Sequence, residues 1–436
     1  MLSNDWQYLL GEEFCSKVTD GTHDSPKQAE YGKPLITSKH IKADEIDFDT
    51  AYLISEKDFN EINKRSQVEQ WDVIISMIGA YCGFCFIERN EEIDYAVKNV
   101  GLFKTGSEVN AKWLYYYLNS SICKSHLDKV KGGSTQPYIA LGSLRKLPIL
   151  VPKNHQLKED IVRVLDAIDS KIRVNNRINT ELEAMVKTLY DYWFVQFDFP
   201  DANGKPYKAS GGKMIYNETL KREIPEGWGD LFLGDLINLE RGVTYGKEDV
   251  TDKENPKAVG VLRATNVTGN IVDIDDLVYV PTSLVNDAQT IKAFETIIVM
   301  SSGSKDHVGK NGVYYFEEPL GFGAFCSKIA PKKGKEALVN TFLQSTWFRA
   351  YIKNQCLGTN INNLTGDHIN KCPIAVPSTT LLEKFEGQVG KIYKKIALNA
   401  NESQKLRMLR DWLLPMLMNG QVTVQSSTEV QEAQHG

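Results

Sequence analysis

The sequence lacks the features that would place the chain in a membrane or in an oxidising compartment. No apolar run approaches the roughly 20 residues that a membrane-spanning helix needs. Residues 1–14 contain neither a basic segment nor an apolar core, so they do not predict a secretory signal. The 7 cysteines are an odd number and are scattered, which argues against a disulfide framework. These absences predict a cytoplasmic protein with no membrane association.

The sequence also lacks the motifs by which common enzyme classes are recognised. It contains no GxGxxG, no Gly-x-Ser-x-Gly, no HExxH and no Asn/Asp-Pro-Pro-aromatic methyltransferase motif. Residues 303–310 resemble a phosphate loop only superficially, because the glycine spacing is wrong and Asn311 follows the lysine. Cys82 and Cys85 form an isolated CxxC within a predicted buried strand–turn–strand, whereas zinc would require a second such pair. We therefore expect no catalytic residue, no metal site and no cofactor bound by this chain.

Composition and charge are those of an ordinary globular protein. Apolar residues make up 42% and charged residues 25% of the 436 positions, which is enough chain for two or three domains. The formal net charge of −5 argues mildly against nucleic acid as a partner. A local basic patch governs phosphate binding more than the global sum does, so DNA binding stays open.

Two long amphipathic helices dominate the sequence pattern. Apolar residues over 161–193 recur at alternating steps of four and three, which is the spacing of a heptad seam. The same register recurs over 385–417, with each position 224 residues after its counterpart. Even the polar interruption at Asn175 and Asn179 is repeated, at Asn399 and Ser403. Chance rarely reproduces both a register and its defect, so we predict two copies of one helix that pack together, and not two unrelated core helices.

The polar seam positions carry information about how the helices pair. A polar residue on a seam lowers stability but fixes the register. In an antiparallel pair, Asn175 would face Ser403 and Asn179 would face Asn399, so the polar groups would meet in one central layer. A parallel pair in register would also match polar with polar. The pattern alone therefore leaves the direction of pairing open.

The globular segments that precede the two helices repeat the same order of features. Six landmarks recur at separations of 222 to 226 residues, namely 6 and 228, 10–11 and 233–234, 36–41 and 262–267, 72–77 and 295–300, 133–138 and 358–363, and 147–152 and 372–377. A nearly constant offset indicates two copies of one unit, a globular domain followed by a long helix. The predicted fold is α+β, with two similar globular domains, two long helices and a pseudo-two-fold internal repeat.

The domain boundaries follow from this repeat. The predicted segments are a first globular domain (1–154), a first long helix (155–198), a linker (199–224), a second globular domain (225–379), a second long helix (380–420) and a frayed tail (421–436). The linker is rich in Pro, Gly, Asn and Ser, and the tail shows no periodicity. Within the first domain we also expect a helix over 111–127.

Loops that combine glycine with Ser, Thr, Asn, Gln, Lys or Arg are the candidate nucleic-acid contacts, because they approach phosphate closely and reach base edges. A single such loop is more often a solvated turn, but that alternative weakens where loops occupy matching places in both copies. The candidates of the first copy are Thr22, His23, Lys39, His40, Lys131, Ser134, Thr135, Gln136 and Tyr138. Those of the second copy are Arg241, Tyr245, Lys247, Arg263, Asn266, Ser304, Lys305, Thr359 and Asn360.

Three local phrases accompany this tandem order: LYDYWF (189–194) running into FDFPD (197–201), KREIPEGW (221–228) and LRDWLLP (409–415). Together with the order of domains and helices, they resemble the specificity (S, HsdS-like) subunit of type I restriction–modification systems. The resemblance covers almost the whole chain, and the phrases are fairly specific together but weak singly. The interior of each domain is hypervariable in this family, so DNA-contact residues cannot be transferred position by position.

The resemblance implies that each target-recognition domain reads one half of a bipartite, asymmetric site in double-stranded DNA. The helices, paired as an antiparallel coiled coil, would set the spacer and dock two methyltransferase (M) subunits, which restriction (R) subunits would join. The chain would not be catalytic alone. It would be the specificity component of a multisubunit DNA adenine methyltransferase and ATP-dependent endonuclease, whose S-adenosylmethionine, ATP and Mg²⁺ would bind to the partners.

Two other classes of function compete with this interpretation. One is a scaffold of two protein-binding domains spaced by a coiled coil, and the other is an enzyme with an unrecognised site. A basic, groove-facing surface on both domains would favour DNA binding. A deep pocket with clustered carboxylates or histidines would favour catalysis.

Overall fold

The computed structural model of the chain describes residues 5–42, 45–133, 136–304, 306–355, 363–422 and 424. The chain forms two compact units, one of residues 1–171 with 406–436 and the other of residues 172–405. Each unit therefore takes in one globular segment and part of both long helices, instead of leaving the helices as separate segments.

The first unit is built around an antiparallel sheet. Its strands are β1 (Trp6–Leu10), β2 (Lys17–Asp20), β3 (Lys33–Thr37), β4 (Ile41–Lys42), β5 (Glu45–Ile46), β6 (Leu53–Ile54), β7 (Asp72–Ser76), β8 (Cys85–Ile87), β9 (Ala96–Lys98), β10 (Val100–Lys104) and β11 (Pro148–Pro152). Its helices are α1 (Gly11–Phe14), α2 (Glu56–Ser66), α3 (Glu108–Asn119), α4 (Ser121–Val130) and α5 (Leu141–Arg145), and the long α6 (His155–Tyr190) follows. The main sheet has the order β2-β10-β7-β8, and every residue of β7 is buried.

The helix expected over 111–127 is two helices, α3 and α4. Ser120 separates them, because its backbone is extended, with φ −69° and ψ 153°. Its side chain accepts a hydrogen bond from the backbone N–H of Cys123 and so caps α4. The apolar spacing continues across this break, which is why periodicity alone predicts a single helix.

The second unit repeats this construction. Its strands are β12 (Met214–Asn217), β13 (Arg222–Pro225), β14 (Gly229–Phe232), β15 (Ile237–Arg241), β16 (Ala258–Leu262), β17 (Val278–Pro281), β18 (Thr290–Ile291), β19 (Thr296–Val299), β20 (Asn311–Val313), β21 (Leu320–Phe322), β22 (Cys326–Pro331) and β23 (Pro373–Val376). Its helices are α7 (Glu336–Gln344), α8 (Thr346–Gln355) and α9 (Gly366–Asn370), followed by the long α10 (Thr379–Met418).

The sheet topologies of the two units match strand for strand. The sheet β15-β22-β19-β20 has the connectivity of β2-β10-β7-β8, and β14 pairs with β23 as β1 pairs with β11. In each unit one strand pair is parallel, β3 with β9 in the first and β16 with β21 in the second. The predicted α+β fold with an internal repeat is confirmed.

The segment predicted as a linker, 199–224, contains regular structure. Strands β12 and β13 pair as an antiparallel hairpin from Met214 opposite Pro225 to Asn217 opposite Arg222. Beside it, the Arg222 guanidinium lies 4.4 Å from the ring centre of Phe197. α6 also ends before the predicted limit of 198, in a π-helical turn over Asp191–Val195. Composition predicts turns here because Pro and Gly are frequent, but it does not register these aromatic anchors.

The two long helices pair antiparallel within the second unit. Asn175 Nδ2 donates hydrogen bonds to Glu402 Oε2 (2.8 Å) and Ser403 Oγ (3.3 Å). Asn399 Nδ2 donates to Asn179 Oδ1 at 2.9 Å. Position numbers therefore fall along one helix as they rise along the other, and the four polar seam residues form one buried layer.

The part of the helix pair that lies in the first unit has the same direction. Arg410 Nη1 donates to Asp169 Oδ1 at 2.9 Å, and the Tyr116 hydroxyl donates to the other oxygen of that carboxylate at 2.9 Å. Leu165 of α6 and Leu417 of α10 share one apolar cluster. The predicted antiparallel coiled coil is confirmed. In the part of the chain that the structure describes, no helix is both long and apolar enough to cross a bilayer.

Candidate nucleic-acid interface

In the first unit, the residues after β9 bring two candidate loops together. Thr22 forms a parallel bridge with Lys98, at the end of β9. The next residue, Asn99, accepts a hydrogen bond of 2.6 Å at its backbone oxygen from Ser38 Oγ. The Asn99 side-chain oxygen also lies 3.1 Å from His23 Nδ1. The loop of Thr22 and His23 therefore adjoins the 3₁₀ turn 38–40 that holds Lys39.

The third candidate loop, 131–138, joins the same surface through the loop that connects β7 to β8. The backbone N–H of Ile78 donates to Ser38 Oγ at 3.3 Å. Ile78 forms an antiparallel bridge with Tyr138, and the N–H of Gly79 donates to the Pro137 oxygen at 2.9 Å. Three loops that are far apart in sequence thus meet on one surface of the first unit.

Most described candidates on this surface can be reached from solvent. His23, Lys39, Gln136 and Tyr138 are exposed, whereas Thr22 is half-buried. Lys131 is partly covered, and its Nζ lies 2.7 Å from a carboxylate oxygen of Asp128. That carboxylate is itself largely exposed. A surface ion pair of this kind contributes about 0–1 kcal/mol, so a DNA phosphate could replace Asp128 at little cost.

The second unit brings its loops together in the same way. Val243 forms a parallel bridge with Gly323, and the N–H of Gly323 donates to the Leu262 oxygen at 2.8 Å. The turn Ala264–Asn266 follows directly after Leu262 and β16. His307 Nε2 lies 2.8 Å from the Ala264 oxygen, which places the loop after β19 against that turn. The loop of Arg241–Lys247 therefore meets the other candidate loops.

A cleft of about 680 Å³ opens where these loops of the second unit meet. Arg241, Ser301, Asn363 and Thr365 line it, together with the ring of Phe325. Ser301 and Asn363 form an antiparallel bridge, the counterpart of the bridge between Ile78 and Tyr138. A cleft that offers a guanidinium, hydroxyls and an amide is suited to phosphate oxygens and base edges.

The electrostatics of the remaining candidates in the second unit vary. Lys247 and Ser304 are exposed, and burial raises the pKa of Tyr245, so its phenol stays neutral and can donate a hydrogen bond. Arg263 is engaged, because its Nη2 lies 2.6 Å from a carboxylate oxygen of Asp276. Five candidates, Ser134, Thr135, Lys305, Thr359 and Asn360, lie outside the described residues.

Two candidates, His40 and Asn266, are corrected by the structure. Their exposed fractions are 0% and 2%, and each caps the 3₁₀ turn in which it lies. His40 Nδ1 accepts from the N–H of Thr37 at 2.9 Å, as Asn266 Oδ1 accepts from the N–H of Arg263 at 2.8 Å. Burial, reinforced by the charge of Lys39, lowers the pKa of His40, so the ring is neutral at pH 7. Neither side chain reaches a ligand on this surface.

Two exposed rings on these surfaces are missing from the sequence-based candidates. Phe84 of the first unit is 43% exposed, and Phe325 of the second is 69% exposed. A signal for Phe84 was available, because the loop after the repeated strand is a candidate in the second copy (301–305) but not in the first. Transferring that loop through the repeat would have selected residues 78–84.

No catalytic or metal centre accompanies these surfaces among the described residues. No three His, Cys, Asp or Glu side chains there are grouped so that they could hold a metal ion. Cys82 and Cys85 are buried free thiols, and burial raises the pKa of the Cys82 thiol, which makes it unreactive. The CxxC therefore belongs to the packing of the β7–β8 hairpin.

Comparison with known proteins identifies the family. The profile described as the type I restriction modification DNA specificity domain matches residues 4–184 and again 225–405. The type I restriction enzyme StySPI specificity subunit of Salmonella potsdam is 31% identical over 206 residues, which are 46% of this chain and 44% of the relative. The MjaIX specificity subunit of Methanocaldococcus jannaschii is 25% identical over 317 residues, or 73% of this chain and 70% of the relative.

The type I restriction enzyme EcoKI specificity subunit of Escherichia coli (strain K12) is also 31% identical, over 46% of this chain and 44% of its own length. The match thus spans less than half of the StySPI and EcoKI subunits. The crystal structure of the type I restriction-modification system S subunit from M. genitalium shares the fold, with a TM-score of 0.50 at 14% identity over 96% of this chain and 97% of that one. The chain belongs to the family of type I restriction–modification DNA specificity domains and carries two copies of that domain.

Proposed function

We propose that the chain is the DNA specificity subunit of a type I restriction–modification complex, in which each globular domain reads one half of a bipartite, asymmetric site in double-stranded DNA. The observation that carries this proposal is the repeated convergence of loops. In both units, three polar or basic loops separated in sequence meet on one surface, through equivalent bridges at Thr22–Lys98 and Val243–Gly323. Two related surfaces with different side chains fit two different half-sites.

The long helices would set the spacer between the two half-sites. A heptad seam keeps a helix pair stiff, and a polar layer fixes its register. The buried layer of Asn175, Asn179, Asn399 and Ser403 supplies such a constraint, because a shift by one heptad would place buried amides against apolar residues.

The same helices would dock two methyltransferase subunits. Exposed apolar side chains recur at equivalent positions of α6 and α10, namely Val174 with Leu398 and Met185 with Leu409. Each pair is separated by the repeat length of 224 residues. Exposed apolar residues duplicated in this way fit two copies of one partner.

The chemistry would belong to the partners. Methyltransferase subunits would bind S-adenosylmethionine, and restriction subunits that join them would use ATP and Mg²⁺, so this chain would be non-catalytic by itself and act in the cytoplasm. The absence of recognisable catalytic motifs from the sequence is consistent with that division.

Selection of duplexes from a random library tests this function. The full chain, assembled with its methyltransferase subunit, is expected to enrich one split motif, with two short defined halves around an undefined gap of fixed length. The methyltransferase subunit alone is the control and should enrich no such motif. Enrichment of a single uninterrupted motif, or of none by an assembled complex, would contradict the proposal.

A further inference from the structure

We propose that the loop between β7 and β8, residues 77–84, is a base-contacting element of the first domain. Tyr81 and Phe84 place their rings against bases of one half-site, while Lys42 and Lys131 hold neighbouring phosphates. This inference rests on the proposed function and adds to it a set of specificity-determining residues that the sequence pattern does not select.

The loop is held rigidly by its own backbone. The N–H of Cys82 donates to the Gly79 oxygen at 3.0 Å, and the N–H of Gly83 donates to the Ser76 oxygen at 2.8 Å. Gly79 and Gly83 have φ values of +84° and +100°, a region that favours glycine. The buried Cys82 thiol donates to the Met77 oxygen at 3.4 Å and anchors the turn from inside. A loop that is already ordered loses little entropy when it binds.

The rings are presented on the outside of this rigid loop. Tyr81 and Phe84 contact edge to face, with ring centres 5.5 Å apart. Lys42 Nζ lies 4.5 Å from the centre of the Tyr81 ring and 3.2 Å from its hydroxyl, which fixes that ring. An apolar ring at a loop tip can contact a thymine methyl in the major groove or wedge between base steps.

Basic and polar side chains flank the rings. A methyl group built on Gly83 would lie 3.8 Å from Lys131 Nζ, and one on Gly79 would lie 3.8 Å from Gln136 Nε2. The loop 131–138 thus lies directly beside the aromatic pair. Cations around exposed rings match a duplex, which presents phosphates on both sides of its base edges.

The repeat provides independent support. β7 and β19 occupy the same place in the two main sheets, between β10 and β8 in one and between β22 and β20 in the other. The loop after β19 carries the candidate Ser304 and the exposed Lys310. A polar or aromatic loop at the same place in both copies favours a shared role over chance exposure.

The test uses the full chain assembled with its methyltransferase subunit and the duplex that the wild-type complex selects. Phe84→Ala is expected to weaken binding about tenfold and to lose base preference in one half of the motif only. Phe84→Leu keeps apolar bulk but lacks the ring, and should show the same loss. Lys131→Ala should weaken binding to all duplexes alike and lower the slope of log affinity against log salt by about one.

Tyr31→Ala is the matched control. Tyr31 is 81% exposed and precedes β3, whereas the turn 38–40 follows that strand, so this variant should bind as the wild type does. Unchanged affinity and preference in both Phe84 variants, or equal losses in both halves of the motif, would overturn the inference. Failure of the wild-type complex to select a split motif would instead overturn the proposed function.

Discussion

Asn179 and Asn399 form a buried amide pair in the seam of the long helices. Asn399 Nδ2 donates to Asn179 Oδ1 at 2.9 Å, and Asn179 Nδ2 donates to the Ile396 backbone oxygen at 3.3 Å. A buried acceptor that loses its donor keeps its desolvation penalty, whereas removal of both partners removes that penalty. The pair therefore contributes register more than stability.

A double-mutant cycle tests this account. Asn399→Leu alone leaves Asn179 Oδ1 without its donor and should lower the free energy of unfolding by about 1–3 kcal/mol. Asn179→Leu combined with Asn399→Leu should be more stable than either single variant. Urea denaturation of the four proteins measures the coupling. A double variant whose loss equals the sum of the two single losses would show that the amides do not act as a pair.

Asp72 at the start of β7 should make the stability of the first unit depend on pH. Burial raises its pKa from 3.8 to about 6, although Lys104 Nζ lies 2.6 Å away. The folded state therefore holds this proton more tightly than the unfolded chain does. The contribution of protonated Asp72 is complete below about pH 4 and is lost as the pH rises through 6.

Asp72→Asn isolates that contribution, because the amide resembles the protonated acid and does not titrate. Between pH 4 and pH 7, the stability of the wild type relative to this variant should fall by about 3 kcal/mol. Denaturant titrations at both pH values measure the difference. A relative stability that rises with pH would mean that the ion pair with Lys104, and not burial, dominates.

At this scale the sequence predicts which loops matter better than which side chains do. Lys39 and His40 are adjacent candidates, yet the first is exposed and the second is a buried cap. A polar residue in a loop has the same pattern whether it caps a turn or contacts a ligand. Phe84 escapes because an apolar residue after a buried strand reads as core, and only the conformation of the loop turns it outward.

The long helices are the elements that the sequence predicts most completely. A heptad seam is a local periodic signal, and its duplicated defect also names the facing residues, with Asn175 against Ser403 and Asn179 against Asn399. The direction of pairing needs the structure or the family resemblance. The hairpin β12–β13 is hidden from sequence because tertiary anchors such as Arg222 against Phe197 stabilise it.

Insertion of one heptad into each long helix tests their role as a spacer. The boundaries between the compact units fall after Lys171 in α6 and after Lys405 in α10, so insertions there leave the contacts within each unit intact. Seven residues with apolar seam positions add about 10 Å of helix, or about three base pairs at 3.4 Å each. The undefined gap of the selected motif should lengthen by that amount, with both halves unchanged.

The matched control inserts the heptad into α6 alone. This change shifts Asn175 and Asn179 away from the layer of Asn399 and Ser403 and should lower the melting temperature. If the paired insertion folds normally and the gap keeps its length, the helices do not set the spacing.

At the scale of the whole molecule, duplication explains why the sequence is so informative about architecture. Two copies of one unit provide an internal comparison, and features that recur at one offset are separated from those that do not. The recurring features are the sheet topology, the bridges between loops and the long helices. The side chains on the converged loops do not recur, so the repeat predicts where each domain reads its half-site but not which bases it reads.

The central claim is that one chain combines two DNA-reading domains at a fixed separation. Mapping of methylated bases across the genome of a host that expresses this chain with its methyltransferase subunit tests that claim most directly. The account predicts new methylation at one split motif, with two short defined halves and an undefined gap of constant length. No new methylation by a complex shown to assemble, or methylation at an uninterrupted motif, would contradict it.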